Sequence, residues 1–299
     1  MMIKLIQKYW LAVMVVSLFS NTVHAQLNIF TCEPEWASLT RTLTGSLAKV
    51  YSATTAKQDP HHIQARPSLI AKVRRADMVI CTGAELEIGW LPLLLRKSAN
   101  RHVQPSQLGY FMAADYVALL EKPTVLDRSL GDIHAAGNPH FHLDPYRIQQ
   151  VAEALTLRLT EIDPINRVDY QKNLADFNLN WQQALTRWER QTESLRGEPI
   201  VVSHNGWVYL ERWLGLERVE TLEPKPGIPA TSNHLAKVLS ELKVNPAKMI
   251  LHVAYQSDKS VLWLSKKTEI PVVSLPFSPT NNEDLIQWFD RFLKILMGE

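Results

Sequence analysis

A long run in the middle of the chain constrains the fold most, because no glycine or proline interrupts it between Pro164 and Gly197. The Asp163-Pro164 pair predicts the start of a helix there, with Asp163 as N-cap, and Gly197 predicts its end. At 1.5 Å per residue this helix would be about 45 Å long. We therefore expect it to span the backs of two lobes rather than lie inside one. Its apolar stripe recurs at spacings of three and four, typical of a helix: Tyr170, Leu174, Phe177, Trp181, Leu185 and Trp188.

Short apolar runs alternate with amphipathic segments on both sides of this helix. Before it, for example, the predicted strands Leu27–Thr31 and Asp77–Cys81 precede helical patterns such as Glu85–Lys97. Such alternation indicates βαβ units and parallel sheets. We predict an α/β fold of two Rossmann-like lobes with parallel sheets, joined by one long rigid α-helix. The predicted boundaries are a first lobe at 26–162, the linking helix at 163–197 and a second lobe at 198–299.

Residues 1–25 have the pattern of a cleavable signal peptide. Lys4 and Lys8 form a basic start, Trp10–Phe19 is almost continuously apolar, and the segment ending at Ala25 has the small residues of a cleavage site. The apolar run is shorter than the ~20 residues that span a bilayer, so we expect an exported protein with no direct membrane insertion. An uncleaved membrane anchor is the alternative. The formal net charge is only +2 and the basic residues are not grouped in blocks, so we expect no nucleic-acid partner.

Two cysteines, Cys32 and Cys81, each end a short apolar run that is typical of a buried parallel strand. Neighbouring strands would bring the two sulfurs together in a chain that leaves the reducing cytosol. A disulfide closing this loop would contribute about 4 kcal/mol to the free energy of unfolding. Free buried thiols and thiolate metal ligands are the alternatives.

Histidines are concentrated in three places, each in a loop or at the end of a predicted strand. Gly131–Pro145 contains His134, His140 and His142, whereas His61 lies in a loop after a strand and His204 directly follows one. Ligands bind outside the carboxyl ends of parallel strands, and neutral imidazole is the commonest metal ligand. A trio of imidazoles with a fourth open or oxygen-filled position suits zinc.

Several phrases of the sequence resemble the metal-binding solute-binding proteins of bacterial zinc and manganese ABC importers. They occur in family-like order: PHHIQARPS, ADMVICTGAELE, GNPHFHLDP, VSHNGWVYLERWLGL and EPKPGIP. The resemblance covers nearly all of the mature chain. It implies two α/β lobes joined by a long helix, with His61 and His140 from the first lobe and His204 from the second binding the metal between them.

Two departures from the family pattern concern the metal ligands. Many members have an aspartate as fourth ligand after the last strand, where this chain has Pro276. The fourth position is left to water, His62 or a carboxylate such as Asp59, Glu283 or Asp284. His142 and Glu223 are further candidates, as a fourth ligand or as residues that support a ligand; the alternatives are a surface position for His142 and a position lining the cleft for Glu223. The long His- and acid-rich loop of many zinc-specific members is also missing, so that Leu119–Gly131 contains no histidine and only His134 is left for a metal-collecting role.

The resemblance implies a periplasmic protein, not an enzyme, that captures Zn²⁺ and delivers it to an inner-membrane ABC permease and its ATPase. We expect a monomer whose long helix restricts hinge bending. Three histidines without an obvious carboxylate favour zinc over manganese. One alternative is a secreted zinc-dependent hydrolase, since HFHLD resembles the start of an H-x-H-x-D-H motif, although Pro145 replaces the last histidine. A metal-binding adhesin or chaperone of the same fold is another.

Overall fold

The computed structural model describes residues 26–124, 131, 133–281 and 283–299. The predicted signal peptide lies outside the described residues. Each half of the described chain builds one four-stranded parallel sheet, in the orders β2-β1-β3-β4 and β6-β5-β7-β8. The two halves thus repeat one arrangement. The strands are β1 Leu27–Thr31, β2 Ala48–Ser52, β3 Met78–Cys81, β4 Tyr110–Met112, β5 Pro199–Val202, β6 Glu217–Thr221, β7 Met249–Val253 and β8 Val272–Leu275.

Helices connect these parallel strands, as the sequence pattern predicts. They are α1 Pro34–Thr44, α2 Pro67–Arg74, α3 Leu91–Ser98, α4 Pro145–Ile162, α5 Arg167–Gln191, α6 Val208–Leu214, α7 Ser232–Glu241, α8 Lys259–Thr268 and α9 Leu285–Met297. Most of the predicted elements are present within one or two residues at each end. The two-lobed α/β fold is confirmed.

The linking helix α5 contacts both lobes. The indole of Trp181 donates a hydrogen bond to the Pro145 carbonyl of the first lobe at 2.9 Å, and the indole of Trp188 donates to Asp290 of the second lobe at 2.6 Å. The rings of Trp181 and Trp188 also pack against Phe289 of α9, with centroids 5.6 and 5.0 Å apart. The helix therefore joins the lobes, as its length predicts.

Both ends of the linking helix differ from the prediction. The side chain of Asp163 does not accept a hydrogen bond from a backbone amide at the start of the helix. It accepts hydrogen bonds from the side chains of Asn166 (Nδ2) and Tyr170 (hydroxyl) instead, each at 2.7 Å. A short 3₁₀ turn precedes α5, and the helix ends at Gln191 rather than next to Gly197. Its 25 residues span about 37 Å instead of 45 Å.

Two further differences lie in the first lobe. The predicted helix Glu85–Lys97 is reduced to α3, because Ala84 and Glu85 have φ of 50° and 67°, a left-handed conformation that cannot belong to a right-handed helix. The edge strand β4 was not predicted. It has only three residues and pairs with β3 alone.

One hydrophobic core runs through both lobes and the linking helix. It includes Ile29 of the first sheet, Trp181 of α5, Leu251 of the second sheet and Phe289 of α9. A smaller hydrophobic cluster covers the outer face of the first sheet, and another covers that of the second sheet. Because the main core is continuous, a rigid separation of the lobes would expose buried apolar side chains.

The predicted disulfide between Cys32 and Cys81 is present, with the two Cα atoms 4.8 Å apart. Strands β1 and β3 are parallel neighbours, which places their carboxyl ends side by side. Both cysteines are completely buried. The disulfide therefore ties the two central strands of the first sheet at the edge where ligands are expected.

Two buried carboxyl groups lie beside this disulfide. The backbone amide of Thr82 donates to Glu87 at 2.8 Å and to Glu33 at 3.2 Å, and the Thr82 hydroxyl also donates to Glu33. Burial, followed by the charges of Glu87 and Glu35, raises the pKa of Glu33 well above its usual range. Burial also raises the pKa of Glu87 to about 7. The pair therefore holds a proton around neutral pH.

Candidate metal centre

The structure brings His61, His140 and His204 together between the two lobes. Their ring centroids are 5.5 Å apart for His61 and His140, 5.5 Å for His140 and His204, and 6.2 Å for His61 and His204. His140 and His204 are 2% and 6% exposed, and the His61 side chain is 10% exposed. Three imidazoles from three separate segments thus surround one buried point.

A carboxylate holds the ring of His61. The residue lies in a 3₁₀ turn, Pro60–His62, that Asp59 caps by accepting a hydrogen bond from the His61 amide at 3.0 Å. The same oxygen lies 2.8 Å from His61 Nδ1. This contact lowers the pKa of Asp59 although burial opposes the change. With Nδ1 as the donor, the buried Nε2 of His61 is left with its lone pair and has no hydrogen-bond partner among the described residues.

His204 is held in the same way from the second lobe. It follows β5 by two residues, and its Nδ1 lies 2.8 Å from Glu223 Oε2, in the loop after β6. The amide of Gly227 donates to the same oxygen at 3.0 Å, which fixes the carboxylate. A histidine that binds a metal typically donates its other ring N–H to a carboxylate or carbonyl. Asp59 and Glu223 both have this supporting arrangement.

The loop of His140 is fastened across the cleft. The His140 amide donates to Asn138 Oδ1 at 3.1 Å, while Asn138 Nδ2 donates to the carbonyl of Asn205, the residue after His204. The Tyr209 hydroxyl donates to the Asn138 carbonyl at 2.6 Å. Burial, followed by the neighbouring imidazoles, lowers the pKa of His140 well below its usual value, so this ring stays neutral and able to bind a metal.

Gly206 and Phe277 form the apolar side of the centre. The Phe277 ring packs on His140 with centroids 5.1 Å apart. A Cβ on Gly206 would lie 2.9 Å from Phe277 Cζ and 3.1 and 3.2 Å from Cδ2 of His204 and His140. Only a glycine therefore allows the two imidazoles and the phenyl ring to pack this closely.

The three rings fit a divalent cation with a small adjustment. Zinc–nitrogen bonds of about 2.0–2.1 Å place the centroids of two bound imidazoles about 5.2–5.5 Å apart. Two of the three pairs meet this distance, and the His61–His204 pair is wider by less than about 1 Å. In the described part of the chain, the one set of three donors within 4.8 Å of one another is Cys32, Cys81 and Glu87, whose sulfurs already form the disulfide. The imidazole trio is thus arranged for a metal but open.

Some sequence candidates lie away from the trio. His62 is exposed. Asp284 caps α9 by accepting a hydrogen bond from the Gln287 amide at 2.8 Å and lines a different cavity, with Asn173 and Phe177. Glu283 pairs with Arg291, whose Nη2 lies 2.7 Å from its carboxylate.

His142 is buried rather than on the surface. Its Nε2 lies 3.0 Å from the Phe277 carbonyl, to which it donates, and its ring stacks on Trp288 with centroids 6.1 Å apart. Its Nδ1 lies 3.9 Å from the buried Glu35 carboxylate. These contacts indicate a structural role behind His140.

One histidine that sequence reasoning left with a minor role lies beside the centre. The ring of His134 is 5.4 Å from that of His61. A cavity of about 380 Å³ opens onto the centre, and His134, His140, His204, Glu121 and Asn205 are among the residues that line it. Its position six residues before His140, in a loop containing glycine and proline, was the signal available in the sequence.

The fold and the centre together define a class. Two α/β lobes joined by a long helix, with a histidine centre in the cleft, are the architecture of a metal-binding solute-binding protein. The chain belongs to the family of the periplasmic zinc-uptake complex component A, ZnuA, whose model matches residues 29–297. It is therefore a substrate-binding protein of a metal ABC transporter, a class that works with a membrane permease and an ATPase, and not an enzyme.

Individual relatives are distant. The manganese ABC transporter substrate-binding lipoprotein PsaA of Streptococcus pneumoniae is 23% identical over 266 residues, covering 87% of this chain and 82% of the relative. A crystal structure of ZnuA aligns with a TM-score of 0.75 at 21% identity, over 92% of this chain and 97% of the other. The nickel complex of FpvC from Pseudomonas aeruginosa aligns with a TM-score of 0.74 at 19% identity, covering 92% and 96%. At these identities the structural matches establish the fold alone.

Within the described part of the chain, every helix falls short of the length and apolar character needed to cross a membrane.

Proposed function

We propose that this protein captures Zn²⁺ through His61, His140 and His204 and delivers it to an inner-membrane ABC permease driven by an ATPase. Residues 1–25 direct it to the periplasm and are removed, and residues 26–162 and 198–299 form the two lobes as a monomer. The observation that carries the proposal is the pair of ring–carboxylate contacts, His61 with Asp59 and His204 with Glu223, both at 2.8 Å.

These contacts favour zinc because they leave imidazole nitrogen, not carboxylate oxygen, as the donor to the metal. Imidazole suits zinc, copper and nickel, whereas carboxylate and water suit manganese. The residues directly after β8 add no carboxylate either, since they are Pro276 and Phe277, and the Phe277 ring covers His140. The names of the relatives include manganese, zinc and nickel and therefore do not select one metal. The choice of zinc is supported by the donor set of this chain.

The test is metal content after competition. Mature protein is stripped and reloaded with equimolar zinc and manganese, and bound metal is counted per chain. We expect one zinc, lost in His204→Ala and retained in the control His102→Ala, an exposed histidine elsewhere in the first lobe. Retention of zinc by His204→Ala would contradict the site, and uptake of manganese would contradict the choice of metal.

Delivery needs its own measurement. The ATPase activity of the permease complex in proteoliposomes should rise when zinc-loaded protein is added on the periplasmic side. We expect the same rise with zinc-loaded His102→Ala protein and no rise with metal-free His204→Ala protein. Equal stimulation by these two proteins would contradict a role in delivering the metal.

A further inference from the structure

Three imidazoles leave the fourth position of a tetrahedral zinc to another group, and His134 is a candidate because of its position. The ring of His134 lies 5.4 Å from that of His61, close to the 5.5 Å between His61 and His140. His134 also lines the cavity into which His140 and His204 face. A fourth imidazole therefore stands at the mouth of the trio.

The supporting carboxylates cannot take this place. An oxygen that accepts a hydrogen bond from Nδ1 of an imidazole lies roughly 7 Å from a metal on Nε2 of the same ring, because the two directions diverge. Asp59 and Glu223 each make this Nδ1 contact, with His61 and His204 respectively. They can orient two ligands of one metal but cannot bind that metal with the same oxygens.

The segment that carries His134 is held in place by the first lobe. Glu85 Oε2 accepts a hydrogen bond from the Ala135 amide at 2.7 Å, and the Gly137 amide donates to the His134 carbonyl at 3.1 Å. Glu85 makes this contact from a left-handed backbone conformation, and the preceding residue, Ala84, is also left-handed. Such conformations are unfavourable for residues other than glycine and persist where the surroundings impose them.

The same segment also touches the second lobe. A Cβ on Gly131 would lie 2.1 Å from the Pro226 carbonyl oxygen, so the two backbones are in direct contact there. Pro226 belongs to the loop that also contains Glu223, the residue bonded to His204. His134 is therefore carried by a segment that bridges the lobes next to the centre.

We propose that His134 is the fourth ligand, so that zinc is held by four imidazoles and manganese is disfavoured. The inference rests on the proposed zinc site and names the residue that completes it. Four nitrogen donors in a tetrahedron match the coordination that zinc prefers, whereas manganese prefers oxygen donors.

The variant His134→Ala tests this, with His62→Ala as a matched control. His62 is a second histidine beside His61, with ring centroids 6.2 Å apart, but its side chain is exposed. Zinc affinity is measured by competition with a fluorescent chelator, and X-ray absorption counts the imidazoles around bound zinc. We expect His134→Ala to weaken zinc binding by more than about 100-fold, beyond the effect of losing a supporting contact. His62→Ala should change it less than about threefold, and the imidazole count should fall from four to three in His134→Ala only.

A second variant, His134→Asp, tests selectivity. The added carboxylate should shift the ratio of manganese to zinc affinity towards manganese by at least about tenfold. Three imidazoles in the unaltered protein, together with unchanged affinity in His134→Ala, would overturn the inference while loss of zinc in His204→Ala still upheld the site. Retention of zinc in both His134→Ala and His204→Ala would instead overturn the proposed function.

Discussion

Gly206 offers a direct test of how closely the imidazoles must pack. In Gly206→Ala the new Cβ would lie 2.9 Å from Phe277 and 3.1 and 3.2 Å from the rings of His204 and His140. Carbon atoms in contact prefer about 3.5–4.0 Å, so each ring would have to retreat by about 0.3–1 Å. The backbone at Gly206 does not require a glycine, because its φ lies outside the left-handed range. The effect is therefore steric.

The magnitude follows from where the cost falls. Overpacking a tight site costs about 1–3 kcal/mol. In the metal-free protein the rings can move apart and relieve part of it, whereas in the zinc complex His140 and His204 must hold their positions. The part that is relieved is the loss in zinc binding: about 1 kcal/mol would weaken binding about fivefold, and the full 3 kcal/mol sets an upper limit of about 150-fold, since 1.4 kcal/mol corresponds to tenfold. The assay is chelator competition for zinc, with urea unfolding of the metal-free protein measured in parallel.

Gly89→Ala is the matched control for this substitution. Gly89 also lies beside the centre, but a Cβ there would meet only the His61 carbonyl oxygen at 3.5 Å, an ordinary contact. Its φ is likewise outside the left-handed range. We expect zinc affinity within about twofold of the unaltered protein. Unchanged affinity in Gly206→Ala, or an equal loss in both variants, would refute the packing argument.

Three further predictions concern the carboxylates and the disulfide. Glu223→Ala removes the acceptor for His204 and should weaken zinc binding about 10- to 100-fold without unfolding the chain, as titration calorimetry would measure. Reducing the disulfide should lower the free energy of unfolding by about 4 kcal/mol in denaturant titrations, and no change would contradict its stabilising role. Because Glu33 and Glu87 have raised pKa values, the folded state binds more protons than the unfolded state between about pH 4.5 and 7, and stability should fall as pH rises through this window. Glu33→Gln should flatten that fall, and an unchanged pH profile would refute the shared proton.

The alternation of strands and helices could be predicted because periodicity is a local property. The predicted strand Leu27–Thr31 coincides with β1, and the predicted strand Asp77–Cys81 differs from β3 by one residue. Strand β4 was missed because three residues carry too little pattern, and only pairing with β3 defines them. Fold class is set by many local signals, whereas a short edge strand depends on its neighbour.

The error at Glu85 has a long-range cause. The segment has the apolar spacing of a helix, yet Glu85 turns to accept a hydrogen bond from Ala135, fifty residues away in sequence. Glu87 accepts from the amides of Thr82 and Gly83 in the same turn. These bonds favour a left-handed turn over one more turn of helix, and no window of local sequence contains all of the partners.

The predicted histidine trio was brought together because strand ends meet at one edge of a parallel sheet. The neighbours of the trio could not be ranked in the same way. Asp59 and Glu223 stood beside Asp284 as equal candidates, and only the fold places the first two on imidazole rings and the third on a helix end. The proximity of His134 to His61 depends on the path of a loop, which residue spacing does not determine.

The position of the centre also limits how a metal can enter and leave. Helix α5 is bonded to both lobes and the main core is continuous, so opening by rigid rotation would expose apolar surface at about 25 cal/mol per Å². The loops at the cleft are held by polar contacts, such as the hydrogen bonds from Asn138 to Asn205 and from Asn205 to Glu121 at 2.8 and 2.9 Å. Water can replace these hydrogen bonds at little net cost. We therefore expect capture to close the His61–His204 gap by loop adjustment of less than about 1 Å, and release to begin at these loops while the lobes keep their angle.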